Sequence, residues 1–145
     1  MVFIPSAYDD YYTLSNGVRI PPLALGTARM KNDDSTAELV AEALEAGYRH
    51  FDTASSYHNE KAVGEGIRAS GVPREAVFVT TKLDDSSHSE RAARLALRMS
   101  LDKLDTEYID LWLIHSPVPR TDPDRWAEAN AETWAFFEEA LEMGL

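Results

Sequence analysis

The sequence predicts an α/β fold in which four parallel βα units follow an N-terminal β-hairpin. Short apolar runs alternate with segments of helical periodicity, a pattern typical of a parallel sheet with right-handed crossovers. Three of the runs, residues 48–52, 77–82 and 109–115, each end on an ionisable residue. Parallel strands bury both faces, so charge is expected only at their ends. Four βα units make half of a TIM-type barrel, whose chemistry is done at the C-terminal rim of the strands.

The first elements are predicted from turn residues. Residues 11–20 are expected to form a hairpin around Asn16-Gly17, a favoured two-residue turn because both residues accept positive φ. A short strand is expected over residues 22–26, where the final glycine lets the backbone turn tightly. The four βα units are then expected to occupy residues 22–144.

Capping motifs and helical spacing predict one helix in each unit. The predicted starts are a capping box at Ser35-Thr36-Ala37-Glu38, an N-cap at Asn59, a second capping box at Ser87-His88-Ser89-Glu90, and Asp122-Pro123. Gly47, Gly71 and Gly144 are expected to mark three of the ends. The stripes expected to be buried are Leu39, Val40, Ala43 and Leu44; Val63 and Ile67; Ala93, Leu97, Leu101 and Leu104; and Trp134, Phe137 and Leu141. Trp112, Trp126 and Trp134 are expected to pack between helices and sheet.

The composition limits what the chain can do. Its 145 residues are 44% hydrophobic and 27% charged, which is typical of a soluble globular domain, so we expect residues 1–145 to form a single unit. No stretch approaches the roughly 20 apolar residues that span a bilayer. Residues 1–10 show no secretory signal, and a cytoplasmic location is expected. The lack of cysteine excludes disulfides, and the net charge of −11 argues against a nucleic-acid partner.

Four chemically distinct side chains are predicted to meet at one rim of the sheet. Asp52, Lys82 and His115 end three neighbouring strands, and Tyr57 lies in the loop just past the first of them. Each residue taken alone also has a purely structural interpretation. Asp52 could cap a turn and Lys82 could be a strand-end charge that reaches water. His115 could be a hydrogen-bonded histidine of the core or rim, and Tyr57 could be a packed surface aromatic. An acid, an amine, an imidazole and a phenol brought together can exchange protons with a reacting group. Their convergence, rather than any one of them, indicates catalysis.

His50 leaves a second chemistry open. It shares a strand face with Asp52, because side chains alternate along a strand. With His115, and with Lys82 as a modified bridging ligand, these residues would form the metal set of a barrel hydrolase. No His-x-His motif occurs, and one shared face is weak evidence for a metal site. We therefore expect no metal, and favour a barrel-interior His50 that is hydrogen-bonded to its neighbours.

Residues 47–64 carry a denser pattern. They read Gly47-Tyr48-Arg49-His50-Phe51-Asp52-Thr53-Ala54, then Tyr57-His58-Asn59-Glu60, then Val63-Gly64. This block closely resembles the N-terminal signature of the aldo-keto reductases, whose fold is the β/α barrel. Further positions similar to that family are Lys82 after Val79-Thr80-Thr81, Ile114-His115 before Ser116-Pro117, and Leu25-Gly26-Thr27. The resemblance covers almost all of residues 11–144.

The resemblance implies NADPH-dependent reduction of an aldehyde or ketone to an alcohol by hydride transfer. The implied catalytic residues are Tyr57 as the proton donor, with Asp52, Lys82 and His115. The implied contacts near the nicotinamide ribose are Gly26, Thr27 and Asp52. The implied partner is a small-molecule carbonyl compound.

The sequence also departs from that family. An aromatic residue often follows the family's Gly-Thr pair and a tryptophan its catalytic histidine, whereas Ala28 and Ser116 stand here, so a wider and less apolar pocket is expected. The family's second half supplies most NADPH contacts, including the basic residues for the 2′-phosphate, and none of these is in the sequence. The alternative is therefore a non-catalytic, truncated half-barrel. Its unpaired sheet edges would let it associate with itself, or it would need a complementing half.

Overall fold

A computed structural model describes residues 10–145, so residues 1–9 of the predicted single unit lie outside the described residues. The strands are β1 (Tyr12–Thr13), β2 (Arg19–Ile20), β3 (Leu25–Gly26), β4 (His50–Asp52), β5 (Phe78–Leu83) and β6 (Leu111–Ile114). The helices are α1 (Asp34–Glu45), α2 (Glu60–Ala69), α3 (Glu90–Leu104) and α4 (Trp126–Glu142). Short 3-10 helices occupy Ser55–Tyr57, Arg74–Ala76 and Pro123–Arg125.

The predicted parallel sheet is confirmed. It has four strands in the order β3-β4-β5-β6, all parallel, and consecutive helices pack on one another in the same order. Gly26 pairs with Asp52 across the first two strands, and Leu83 pairs with Ile114 across the last two. This register brings the C-terminal ends of the strands to one edge of the sheet. Within β5 every residue is buried except Lys82, which is half-buried, as expected for a strand covered on both faces.

The hairpin is confirmed, but its turn differs from the prediction. β1 and β2 pair antiparallel, and Gly17 has φ 85° whereas Asn16 does not have positive φ. The Leu14 N–H donates to the Val18 carbonyl at 2.8 Å, and the Gly17 N–H donates to the Leu14 carbonyl at 2.9 Å. The loop therefore has three residues and ends on a left-handed glycine, the second commonest way to close a hairpin.

Two predicted helix starts are displaced by two residues. The N-cap of α1 is Asp33, and Ser35 lies inside the helix with its hydroxyl donating to Asp33 Oδ1 at 2.6 Å. The N-cap of α3 is Ser89, not Ser87, and its Oγ accepts from the Ala92 N–H at 3.2 Å. Both segments contain several residues able to cap a helix, so the sequence pattern alone does not select one of them.

The predicted end of α1 is confirmed. Gly47 has φ 103°, a left-handed conformation that favours glycine. Its N–H donates to the Leu44 carbonyl at 3.1 Å, and the Tyr48 N–H donates to the Ala43 carbonyl at 2.9 Å. This pair of hydrogen bonds is the Schellman motif, which satisfies the last carbonyls of the helix and directs the chain into β4.

The predicted buried stripe of α4 is wrong at two of its three positions, since Phe137 packs against the core but Trp134 and Leu141 do not. Trp134 is 56% exposed and Leu141 is 70% exposed, while the buried residues are Thr133, Phe136 and Ala140. Both sets have helical spacing, and they differ by a rotation of one residue about the helix axis. Apolar residues lie on both faces of this helix, so periodicity does not choose between them. The face of α4 that is buried is decided by contact with the rest of the fold.

Two further expected core positions are also wrong. Leu39 is 40% exposed and Trp126 is 50% exposed. Trp112 does pack between sheet and helix, since its ring stacks on Phe137 at a centroid distance of 4.0 Å. The core between sheet and helices includes Val40, Leu44, Phe51, Val63, Val79, Leu83, Leu97 and Phe136. Within residues 10–145, no helix combines the length and the apolar character needed to cross a bilayer.

Candidate active site

The structure brings the four predicted catalytic side chains together. Asp52 ends β4, Lys82 is the penultimate residue of β5, and His115 directly follows β6. The Lys82 ammonium donates to Asp52 Oδ1 at 2.5 Å and lies 5.2 Å from the centroid of the Tyr57 ring. The Tyr57 and His115 rings meet edge to face, with centroids 5.7 Å apart. A carboxylate, an ammonium, a phenol and an imidazole thus share one rim of the sheet.

The ion pair in this cluster is partly shielded from water. The Lys82 side chain is 14% exposed, and the Asp52 side chain is 34% exposed. A second donor contact from Lys82 to the Thr53 carbonyl, at 2.9 Å, fixes the ammonium beside the strand end. A cation held in a partly desolvated place creates positive potential that solvent screens less than at an open surface. Such a group can stabilise negative charge that develops on a neighbouring oxygen.

Two serines that the sequence reasoning missed hold the turn that carries Tyr57. The Ser55 hydroxyl donates to the Lys82 carbonyl at 2.9 Å, and Ser56 Oγ lies 3.2 Å from Nδ1 of His115. The turn ends at His58, which has a left-handed φ of 57°. The available signal was the presence of two consecutive hydroxyl side chains between two predicted catalytic residues.

The three residues predicted to contact the cofactor are placed differently from one another. Gly26 is exposed and pairs with Asp52, and a Cβ added to it would have no neighbour within 4 Å. Thr27 is fully buried, with its hydroxyl 3.2 Å from the Asp52 carbonyl oxygen. Gly26 and Asp52 therefore border open space at the rim, whereas the Thr27 side chain is used inside the protein.

Asn59 does not cap α2 with its side chain, although it occupies the predicted N-cap position. Its amide Nδ2 donates to the carbonyls of Thr27 at 2.7 Å and Met30 at 3.0 Å. Its Oδ1 accepts from the Thr53 hydroxyl at 3.0 Å. The side chain is fully buried. It ties the loop after β3 to the loop after β4, so it positions the backbone on both sides of Asp52.

Both ring nitrogens of His50 have hydrogen-bond partners within the protein. Its Nδ1 lies 3.1 Å from the Pro21 carbonyl oxygen and its Nε2 lies 2.8 Å from the Thr80 hydroxyl. A carbonyl oxygen only accepts, so Nδ1 carries a proton. Burial lowers the pKa of His50 below its ordinary value. Among residues 10–145, no three His, Asp or Glu side chains are arranged to hold a metal.

The surroundings of the cluster are polar. Asp84 follows the end of β5, and hydrogen bonds from the Ser86 side chain and backbone lower the pKa of this carboxyl. Ala28 is exposed and Ser116 is half-buried. Neither of these two positions carries an aromatic side chain.

The model of the Aldo/keto reductase family matches residues 22–145. The chain belongs to the aldo/keto reductase family. An uncharacterized oxidoreductase of Schizosaccharomyces pombe is 44% identical over an alignment of 154 positions, which covers 98% of this chain and 47% of that protein. A 9,11-endoperoxide prostaglandin H2 reductase of Trypanosoma cruzi is 50% identical over 114 positions, covering 79% of this chain and 40% of that one.

Solved structures of aldo/keto reductases share the fold. A Brucella melitensis aldo/keto reductase superposes with a TM-score of 0.84 at 39% identity, covering 98% of this chain and 51% of that one. A Bombyx mori aldo-keto reductase in complex with NADP superposes with a TM-score of 0.81 at 42% identity, covering 97% of this chain and 49% of that one. These aldo/keto reductases are TIM barrels, so the predicted fold class is confirmed. The chain spans about half the length of the relatives it matches.

Proposed function

We propose that this chain forms the first half of a barrel that reduces an aldehyde or ketone to an alcohol with NADPH. The observation that carries the proposal is the contact of the Lys82 ammonium with both Asp52 and the Tyr57 ring, with His115 against the same ring. The Bombyx mori relative in complex with NADP, at 42% identity, supports the choice of cofactor. A cytoplasmic location is part of the proposal.

In the proposed reaction, Tyr57 donates a proton to the carbonyl oxygen as negative charge develops on it. Lys82, 5.2 Å from the Tyr57 ring centroid, stabilises the charge left on the phenol oxygen, and Asp52 holds the ammonium in place. His115 donates a hydrogen bond that polarises the carbonyl. General acid catalysis of this kind typically contributes about 10²–10⁴ in rate.

NADPH would supply the hydride, and the rim offers a place for its nicotinamide end. Gly26 borders open space beside Asp52, so a flat ring meets no side chain at that point. Most of the remaining cofactor contacts, including those to the phosphates, would come from the second half of the barrel. The net charge of −11 agrees with a phosphate site outside this chain, since phosphates are bound by clustered basic groups.

The polar rim favours a small hydrophilic carbonyl substrate. Ala28 and Ser116 leave space where the family often carries aromatic residues, and Asp84 adds a carboxylate near His115. A pocket built to hydrogen-bond a substrate hydroxyl discriminates strongly against analogues that lack it. Hydroxylated aldehydes should therefore be reduced better than aromatic ones.

The proposal is tested by NADPH titration and by aldehyde-dependent loss of NADPH absorbance. The chain is assayed alone and after fusion to the second half of a related reductase. The fusion should turn over, and Tyr57→Phe should reduce its turnover at least about 10²-fold without changing the dissociation constant for NADPH. Turnover that survives Tyr57→Phe, or a fusion that folds but does not bind NADPH, would count against the reductase assignment.

A second candidate is a non-catalytic half-barrel that associates with a second copy or with a complementing half. Within the described residues, β3 and β6 are the outer strands of the sheet, and such edges invite pairing. Leu113 on β6 is 38% exposed, and Trp134 and Leu141 are exposed on α4. Sedimentation at increasing concentration tests this candidate. A dimer that Leu113→Lys converts to monomer would support it, and a monomer at every concentration would contradict self-association.

A further inference from the structure

The imidazole of His115 has a specific hydrogen-bond partner. Ser56 Oγ lies 3.2 Å from its Nδ1, and the two residues are 59 positions apart in the chain. Ser55, in the same 3-10 turn, instead donates to the backbone carbonyl of Lys82 at 2.9 Å. Within residues 10–145 no hydrogen bond reaches Nε2 of His115. One ring nitrogen is therefore held by the protein, and the other is left for a ligand.

The hydrogen bond at Nδ1 sets which nitrogen carries the proton of the neutral ring. If the Ser56 hydroxyl donates, Nδ1 accepts with its lone pair and the proton resides on Nε2. If Nδ1 donates instead, Nε2 presents a lone pair. A lone pair repels the oxygen of a carbonyl substrate, whereas an N–H polarises it. Only the first arrangement suits the role assigned to His115.

We propose that Ser56 is a positioning residue that donates its hydroxyl proton to Nδ1 of His115 and holds the ring as the neutral Nε2–H tautomer. The proposal rests on the reductase function for the meeting of Nε2 with a substrate oxygen. The ring is also oriented from other sides. The imidazole meets the Tyr57 ring edge to face with centroids 5.7 Å apart, and the backbone N–H of His115 donates to the Leu83 carbonyl at 3.2 Å.

This arrangement couples the two groups that would act on the same oxygen. Ser56 precedes Tyr57 in one short turn, so the contact with Nδ1 fixes the distance between the phenol and the imidazole. Ser55 anchors the same turn to the end of β5. Of the two serines, Ser56 contacts the imidazole and Ser55 does not, so the selection of the tautomer is assigned to Ser56.

Nuclear magnetic resonance of the isotopically labelled chain tests the inference without cofactor or substrate. Long-range proton–nitrogen correlations distinguish a nitrogen that carries a proton from one that does not, and His115→Asn assigns the signals. At a pH where the ring is neutral, Nδ1 should be unprotonated and Nε2 protonated. Ser56→Ala should shift both resonances toward the average of the two tautomers, and Ser56→Thr, which keeps the hydroxyl, should restore the original spectrum.

Ser55→Ala is the matched control, because it removes a hydroxyl from the same turn without touching the imidazole. It should leave the His115 nitrogen resonances unchanged. A protonated Nδ1 in the unaltered protein, or equal shifts in Ser55→Ala and Ser56→Ala, would overturn the role of Ser56. Aldehyde-dependent loss of NADPH in the fusion, and the effect of Tyr57→Phe on it, are measured separately, so failure of this inference is distinguishable from failure of the reductase proposal.

Discussion

The ammonium of Lys82 and the carboxylate of Asp52 form a 2.5 Å ion pair between the ends of two adjacent parallel strands. The pair occupies the edge of the sheet where the buried interior meets solvent, since neither side chain is more than about a third exposed. It serves two purposes at once. It neutralises two charges that the strand ends would otherwise leave partly desolvated, and it fixes the cation beside Tyr57.

Asp52→Asn should lower the free energy of unfolding by about 1–3 kcal/mol, because Lys82 remains charged and largely shielded from water. This loss of unfolding free energy is smaller than for a fully buried ion pair, because the Asp52 side chain is 34% exposed. Urea denaturation measures the change. The control is Glu65→Gln, which breaks the exposed 3.6 Å pair with Lys61 and should cost under about 0.5 kcal/mol. Equal losses in the two variants would show that the Lys82 pair is no better shielded than a surface pair.

Gly64→Ala should destabilise the protein, although alanine normally favours a helix over glycine by about 1 kcal/mol. A Cβ at this position would lie within 3.0 Å of backbone atoms of Leu104, where α2 and α3 cross closely. Overpacking of this kind costs typically about 1–3 kcal/mol. At Gly26 a Cβ would have no neighbour within 4 Å, so Gly26→Ala should change stability by less than about 0.5 kcal/mol. Thermal or urea unfolding measures the stability of both variants. If Gly64→Ala is as stable as the unaltered protein, the close packing of α2 against α3 is contradicted.

Glu60→Ala should cost more stability than Glu60→Gln. The Glu60 side chain is fully buried, accepts from the Thr81 hydroxyl at 2.7 Å and lies 3.4 Å from the Lys103 ammonium. Glutamine keeps an acceptor for Thr81, whereas alanine leaves a buried hydroxyl without its partner and opens a cavity. The difference in unfolding free energy should be about 1–3 kcal/mol. If the two variants unfold at the same denaturant concentration, the hydrogen bond from Thr81 contributes nothing.

Stability should decline as pH falls below about 6.5, and His50 should account for a defined part of that decline. Burial lowers the pKa of His50, with the Pro21 carbonyl and the charge of Asp52 opposing it. As the pH falls, His50 therefore takes up a proton in the unfolded chain before it does so in the folded protein. The stabilisation is complete above the pKa of His50 in the unfolded state, and it is lost as the pH falls through the lower pKa of the folded state. The slope is at most about 1.4 kcal/mol per pH unit. His50→Gln should remove this component, and parallel stability–pH curves for the two proteins would contradict it.

Much of the architecture follows from patterns local to each element. The alternation of apolar runs with helical segments predicted four parallel βα units, and charge at the strand ends predicted the cluster of Asp52, Lys82 and His115. These predictions succeed because a parallel strand is buried along its length and its ends share one rim. The end of α1 at Gly47 also follows from local chemistry, since left-handed φ favours glycine.

Other features could not be predicted from local sequence patterns and became clear only from the tertiary structure. The sequence offered two apolar faces on α4, and the structure buries the face with Phe136 and exposes Trp134. The sequence pattern predicted that Asn59 caps a helix, whereas in the structure its side chain forms hydrogen bonds that join the loops after β3 and β4.

The sequence by itself determined the order of the elements, the parallel sheet and the residues that reach its rim, because strand and helix periodicities are properties of the local backbone. Only the tertiary structure decided that Ser56 meets His115, that Thr27 turns inward and that Glu60 is buried against Thr81. Each of those outcomes depends on partners supplied by distant parts of the chain. A side chain with several available donors and acceptors takes the one that the completed fold places within reach.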